Sequence, residues 1–368
     1  MTLPLLLAFQ LAALSGGSWK RHTIDAGSRG ADGVKLYRSG EGRPLIATAW
    51  EEGGEIRVYT PRAGGYSATT AGRVGSPEDA LLVDLDGDGA VDVVSSCEGE
   101  TRSIFVHWGP DWNTEAIPVT QAAMKWMFAA PMPVAGRRGA NLIAGGRGPG
   151  AKLGILEAPA NPRNLAAWRW RPLRDVGWTM SIIHTDMDGD GDGDILFSDR
   201  KGDRTGVFWL ENPSWKEHGV GSFGREAMFL DYADFDGDGS VDVIVPVKPH
   251  EVQVHLRKDR NGRKWTPFTI PVAGAGTAKA VRIADLDLDG QADVLVSSEQ
   301  TRALQSGVMY LKREGRGWRS RDVSGPEGVK FDLMELVDMD GDGDLDVITT
   351  EERRGLGVIW YENPARRR

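Results

Sequence analysis

The sequence predicts an all-β protein: a seven-bladed β-propeller of four-stranded blades, the last blade closed by the N-terminal strand. Three observations predict it. A nine-residue acidic segment of the form D-x-D-x-D-G-x-x-D occurs five times. The units that carry it recur about every 50 residues, each built of short β-branched and aromatic runs punctuated by Gly, Asp and Pro. The two ends of the chain read as complementary parts of one such unit. Four-stranded units repeated in this way are the signature of a propeller, with an eight-bladed ring or an open solenoid as the alternative architecture.

The elements follow in chain order. Met1 to Gly17 hold no charged side chain, and the Leu/Ala-rich stretch Leu3 to Leu14, ending in the small-residue site Ala13-Leu14-Ser15, matches a secretory signal. Residues 1–15 therefore read as a signal peptide and 16–368 as one propeller domain, in a protein that is secreted, periplasmic or at the cell surface. No Lys or Arg lies near Met1, which leaves an apolar N-terminal strand or a misassigned start as the other reading. The second strands of seven units begin at 44, 92, 141, 194, 242, 293 and 346. Pro44-Leu-Ile-Ala-Thr-Ala and Asn141-Leu-Ile-Ala-Gly-Gly align with Asp92-Val-Val-Ser-Ser-Cys, so units one and three keep the strand without the acidic segment. Unit six shows the full pattern. Ala280-Val-Arg-Ile-Ala leads into the turn, Asp293-Val-Leu-Val-Ser leaves it, Gly307-Val-Met-Tyr-Leu follows, and Trp318-Arg-Ser-Arg-Asp-Val closes the unit. After Asp346 only 22 residues remain, enough for two strands. Unit four reads Trp209-Leu-Glu-Asn-Pro-Ser-Trp215-Lys-Glu-His218 through its last two strands, the chain ends Trp360-Tyr-Glu-Asn-Pro364, and the predicted mature chain begins near Ser18-Trp19-Lys-Arg-His22. The N-terminal strand should complete blade seven and cover its edge.

The acidic segments are Asp84-Leu-Asp86-Gly-Asp88-Gly-Ala-Val-Asp92, Asp186-Met-Asp188-Gly-Asp190-Gly-Asp192-Gly-Asp194, Asp234-Phe-Asp236-Gly-Asp238-Gly-Ser-Val-Asp242, Asp285-Leu-Asp287-Leu-Asp289-Gly-Gln-Ala-Asp293 and Asp338-Met-Asp340-Gly-Asp342-Gly-Asp344-Leu-Asp346. Carboxylates at positions 1, 3, 5 and 9 with a carbonyl at position 7 suit a hard divalent cation, and calcium, with six to eight flexible oxygen ligands, suits the loop better than octahedral magnesium. Glycine at position 6 permits the sharp turn. Without a cation such crowding is costly, because unit charges ~4 Å apart repel by about 4 kcal/mol at an effective dielectric of 20. These ions would hold the first two strands of a blade together; a catalytic or signalling role is the other reading.

These turns and their flanking strands resemble FG-GAP/VCBS repeats, the propeller units of integrin α-chain heads and of many exported bacterial proteins. The resemblance spans 18–364 and implies a seven-bladed ring with calcium in each complete loop, about five sites. Leu288 stands where the other four loops have Gly. The Trp-Tyr-Glu-Asn-Pro strand is also similar, more distantly, to the propeller of aldos-2-ulose dehydratase, a metal-dependent sugar lyase.

Charge supports this reading. The net charge is -9, yet the five segments hold 22 of the 53 acidic residues, leaving 31 against 44 basic ones, and one divalent cation in each would bring the total to +1. The Lys and Arg residues are dispersed except for Arg366, Arg367 and Arg368, so no nucleic-acid stripe exists. No apolar run reaches the 18 or so residues of a membrane span. The one cysteine, Cys97, excludes an intrachain disulfide.

Function should sit on the face opposite the turns, where loops between second and third strands and between blades gather. Six residues past each ninth loop position stand Trp50, Glu98, Arg147, Arg200, Lys248, Glu299 and Glu352, and the inter-blade loops add Lys35, Lys125, Lys279 and Lys330. This ring could orient a polyhydroxylated or anionic ligand, or it could be merely solvated. Asp231, Arg282 and Glu335 on consecutive inner strands suggest an ion-pair chain or a channel cluster. His22, His218, His107, His255 and His184 read as packing, whereas His250, in the loop Lys248-Pro-His-Glu251, could be an acid, base or metal ligand. No nucleophile elbow, zinc-protease motif or phosphate loop occurs. The reading that follows is an exported calcium-stabilised module that binds a protein or a glycan; the alternative is a sugar-processing lyase or hydrolase working at the charged mouth.

Overall fold

The computed structural model describes residues 18–366 apart from 39 and 41, so the expected signal segment at 1–15 lies outside the described residues. Seven four-stranded antiparallel sheets follow one another as blades. Their inner strands are Ala31–Tyr37, Pro77–Val83, Lys125–Pro133, Thr179–Thr185, Asp231–Ala233, Thr277–Ala284 and Phe331–Val337. Among the described residues no helix is long and apolar enough to cross a membrane.

In each blade the second strand is the best buried. Asp92–Cys97, Asp194–Asp199, Asp242–Val247 and Asp346–Glu351 are buried at every position. Such a strand packs against neighbouring blades with both faces, so it reads as a continuous apolar run rather than an alternating one. Three hydroxyls of these second strands reach across to the next blade. Ser198 Oγ donates to the Met228 carbonyl, Ser297 Oγ donates to the Asp332 carbonyl, and Thr350 Oγ1 accepts from Gly33 N–H. Each bond satisfies a buried polar group and fixes the rotation of one blade on the next.

Ring closure is as the termini predicted. Lys20–Asp25 pairs antiparallel with Gly357–Glu362, with Lys20 opposite Glu362 and His22 opposite Trp360. His22 stacks on Trp360 at 4.1 Å, just as His218 stacks on Trp209 at 4.4 Å in blade four. Asp25 then accepts from Arg57 at 2.7 Å and from Tyr59 at 3.0 Å, tying the closing strand to blade one as well. The tryptophans serve the core: Trp50, Trp108, Trp126 and Trp209 are among the largest fully buried side chains.

Candidate functional site

Each acidic turn joins an inner strand to a second strand. The first aspartate folds the loop upon itself: Asp84 accepts from Gly87 N–H at 2.8 Å and from Gly89 N–H at 3.1 Å, and Asp186, Asp234 and Asp338 do the same with their own glycines. Glycine is needed at both points, with φ of 79° at Gly87 and 95° at Gly89. The ninth aspartate is buried; Asp92, Asp194, Asp242 and Asp346 each accept from two backbone N–H groups, Leu85 and Gly109 in the case of Asp92, and Asp293 accepts from Leu286. Oxygens of Asp84, Asp86 and Asp92 lie within 4.8 Å of one another, as do those of Asp186, Asp188 and Asp194 and those of Asp234, Asp236 and Asp242. Burial, with the neighbouring aspartates adding to it, pushes Asp92 and Asp194 up to about 6. Burial pushes Asp293 and Asp346 up to about 7, and negative neighbours contribute again. Asp188 and Asp287 each keep a buried Oδ1 that no hydrogen-bond donor reaches. Converging carboxylates, raised affinity for protons and orphaned oxygens fit a hard cation.

The turns are not equivalent. Lys312 bridges Asp287 and Asp289 in blade six, Arg163 bridges Asp86 and Asp88 in blade two, and Lys258 lies 3.3 Å from Asp236 in blade five. Blade six also folds differently, because Leu288 holds a φ of 61° and Asp285 Oδ1 accepts from Asp289 N–H instead of from residue 288.

The opposite face forms a mouth with a cavity of about 330 Å³. Of the residues expected there, Glu98, Arg147, Arg200, Lys279, Glu299 and Lys330 line it. They are paired. Arg147 forks onto Glu98, Lys248 and Lys279 both reach Glu299, Lys279 also pairs with Asp332, Lys330 pairs with Glu352, and Arg200 meets Glu226 at 2.8 Å. Arg147 and Arg200 both stack on Trp178, at 4.5 and 4.4 Å. Lys248 and Glu352 stand behind this lining. Lys125 is half-buried opposite Arg147 in the sheet register, outside the lining. His250 is exposed, and its Nδ1 binds the Gly276 carbonyl at 3.0 Å. Of the expected chain on the inner strands, Arg282 pairs with Glu335 at 2.8 Å, whereas Asp231 accepts from the Ile283 N–H at 2.9 Å and feels Arg282 only electrostatically. Lys35 is drawn to Asp79 at 3.7 Å.

Several lining residues were not singled out from sequence: Asp32, Glu51, Glu78, Trp178, Asp332 and Arg353. Glu78, Lys279 and Asp332 stand six residues before their turns, a series as regular as the one counted forward from the ninth aspartate. Burial raises Glu78 to about 8, with Glu98 and Glu51 adding to the effect. Burial also raises Asp32 and Glu51. Asp332 is just as buried, but the Lys279 ammonium overrides that and holds it at about 2. No His, Ser or Cys lines the cavity.

Residues 186–245 and 234–296 match the FG-GAP-like repeat family. No curated protein matches the chain. Among solved structures, a chain in the crystal structure of BBS1N in complex with ARL6DN, soaked with mercury, is similar at 11% identity and a TM-score of 0.56, with 93% of this chain and 96% of that one covered. The lead-soaked crystal of the same complex gives 10% identity, a TM-score of 0.56, and 95% and 98% coverage. At that identity the likeness is one of fold.

Proposed function

We propose that this seven-bladed propeller of FG-GAP-like repeats is an exported binding module, held by calcium at its acidic turns, whose charged mouth engages a polar partner, a glycan or a protein. The observation that carries this reading is the mouth itself, where charged groups of both signs and two aromatic side chains, Trp178 and Phe229, surround a cavity of about 330 Å³. Carboxylates and guanidinium groups around one opening give charge-assisted hydrogen bonds to hydroxyls, carboxylates or amines. A lining without His, Ser or Cys offers contacts rather than a nucleophile and its base. Export rests on the apolar leader at 1–15, and calcium on the convergence of the turn carboxylates.

Arg147, Lys248 and Lys330 are poor sites for a test, since each neutralises a buried or half-buried partner, Glu98, Glu299 or Glu352. Breaking one such pair typically costs about 3–5 kcal/mol. Gln300 and Arg353 line the same cavity and are exposed. A glycan array and a pull-down should find a ligand for the intact protein, and Gln300→Glu with Arg353→Glu should remove it without moving the melting curve. Binding that survives both changes, or that maps to the turn face, rejects this placement.

A further inference from the structure

The pairing at the mouth is incomplete in one place. Glu98, Glu299, Asp332 and Glu352 each have a cationic partner among the described residues. Among the described residues Asp32, Glu51 and Glu78 form no ion pair and accept from no N–H group; Lys279 acts on Asp32 and Glu78, and Lys330 and Arg147 on Glu51, only at longer range. They come from adjoining blades, Asp32 and Glu51 from blade one and Glu78 from the start of the inner strand of blade two. One oxygen from each lies within 4.8 Å of the others, and all three residues line the cavity. Asp32 is only 8% exposed, and the side chain at hydrogen-bonding range of it is another acid, Asp332. Asp32 also groups with Asp332 and Glu352 within the same 4.8 Å limit.

A buried carboxylate without a donor is expensive, and three that converge are more so. Elsewhere around this mouth the chain places a Lys or an Arg directly against each acid; here it holds its cations farther off and leaves an open cavity between. We infer that Asp32, Glu51 and Glu78 form a divalent-cation site at the mouth, separate from the acidic turns. Bound through one oxygen each, three carboxylates fill three of the six to eight positions of calcium, or of the six of magnesium, so positions remain open toward the cavity. The ammonium of Lys279 and the guanidinium groups of Arg147 and Arg353 border the same space. The bound ion and these cations together would receive a ligand that carries both hydroxyl and carboxylate oxygens, such as an acidic sugar. This ligand class rests on the mouth being the binding face; the cation site does not.

The test counts ions. Protein stripped with chelator and reloaded with calcium or manganese is dialysed to equilibrium, and its metal is measured by mass spectrometry. Asp32→Asn with Glu78→Gln should bind one equivalent fewer than the unaltered protein. Asp86→Asn, in the turn of blade two, should lose a different equivalent, and the combination should lose both. Glu51→Gln alone, at a more exposed position, serves if the double variant fails to fold, and it should weaken the same site. Equal metal content in the unaltered protein and in both mouth variants overturns the inference. So does a mouth that takes methylammonium instead, seen as an Asp32-dependent rise in the melting point of the stripped protein with no change in metal count. Loss of the equivalent alongside a ligand screen that finds nothing would leave the cation site standing and reject the binding-module reading alone.

Discussion

Two histidines occupy the third strands of blades two and five as if by rule. His107 sits between Ser95 and Thr114, at 2.9 and 2.8 Å, and His255 meets Ser222 at 2.9 Å; each ring lies against a glycine of the preceding blade's outer strand, Gly72 or Gly221. Burial lowers both to about 4. The folded state therefore holds fewer protons than the unfolded chain between the ordinary histidine value of about 6.5 and about 4. Their contribution is complete above that upper value and is lost as pH falls toward the lower one, at up to about 1.4 kcal/mol per pH unit for each histidine. Denaturant titrations in chelator at pH 7 and pH 5 should show a smaller pH difference for His107→Gln than for the unaltered protein. An identical difference would mean that His107 titrates normally in the fold. At blade six, the Lys312 ammonium occupies the space between Asp287 and Asp289 that a metal would need. Calcium should therefore bind that turn most weakly, and Lys312→Gln should strengthen it, read as a shift in the weakest step of a calcorimetric calcium titration. An unchanged titration would show that the lysine swings aside at no cost.

At the level of strands, the closing segment is the element on which the ring depends. Removing Lys20–Asp25 would bare the hydrogen-bonding edge of Gly357–Glu362, unstack Trp360 from His22 and leave Arg57 and Tyr59 without Asp25. Deletion of 18–25 should give an aggregating or strongly destabilised protein in light scattering and thermal melts; a soluble product with an unchanged melt would show that blade seven stands on three strands. This element was legible because the Trp-containing outer strand pair recurs intact in blade four, so the two ends could be matched to a known whole. Strand order was legible for a similar reason: each acidic turn marks the boundary between inner and second strands. The mouth was legible only in part. Residues counted forward from a ninth aspartate, such as Glu98 and Glu299, were found, but Glu78 and Asp332 lie on the other side of the turn, where the apolar inner strand draws the eye to packing. Asp32 and Glu51 belong to a blade that has lost its turn, which removes the reference point. Nor could spacing show that Lys248 and Lys279 converge on one carboxylate, since that depends on how far neighbouring blades rotate.

For the whole molecule, calcium in the five turns, as proposed, would tie stability to the supply of divalent ions. A site that binds only the folded state adds about 2.7 kcal/mol when calcium is at 100 times its dissociation constant. In a protein of this size each kcal/mol moves the melting point by about 2–4 °C or less. Several sites together should separate melts in calcium from melts in chelator by many degrees, with Asp340→Asn showing part of the chelator effect. Superimposable curves would reject a structural role for the ion. Ring closure carries a further consequence, a mechanical one. Because Lys20 lies opposite Glu362, the chain enters and leaves the last sheet at the same corner. Tension applied to the two ends would load the rungs between these strands singly, beginning at that corner, rather than shear them all in parallel. The ring should therefore peel open under a small steady pull.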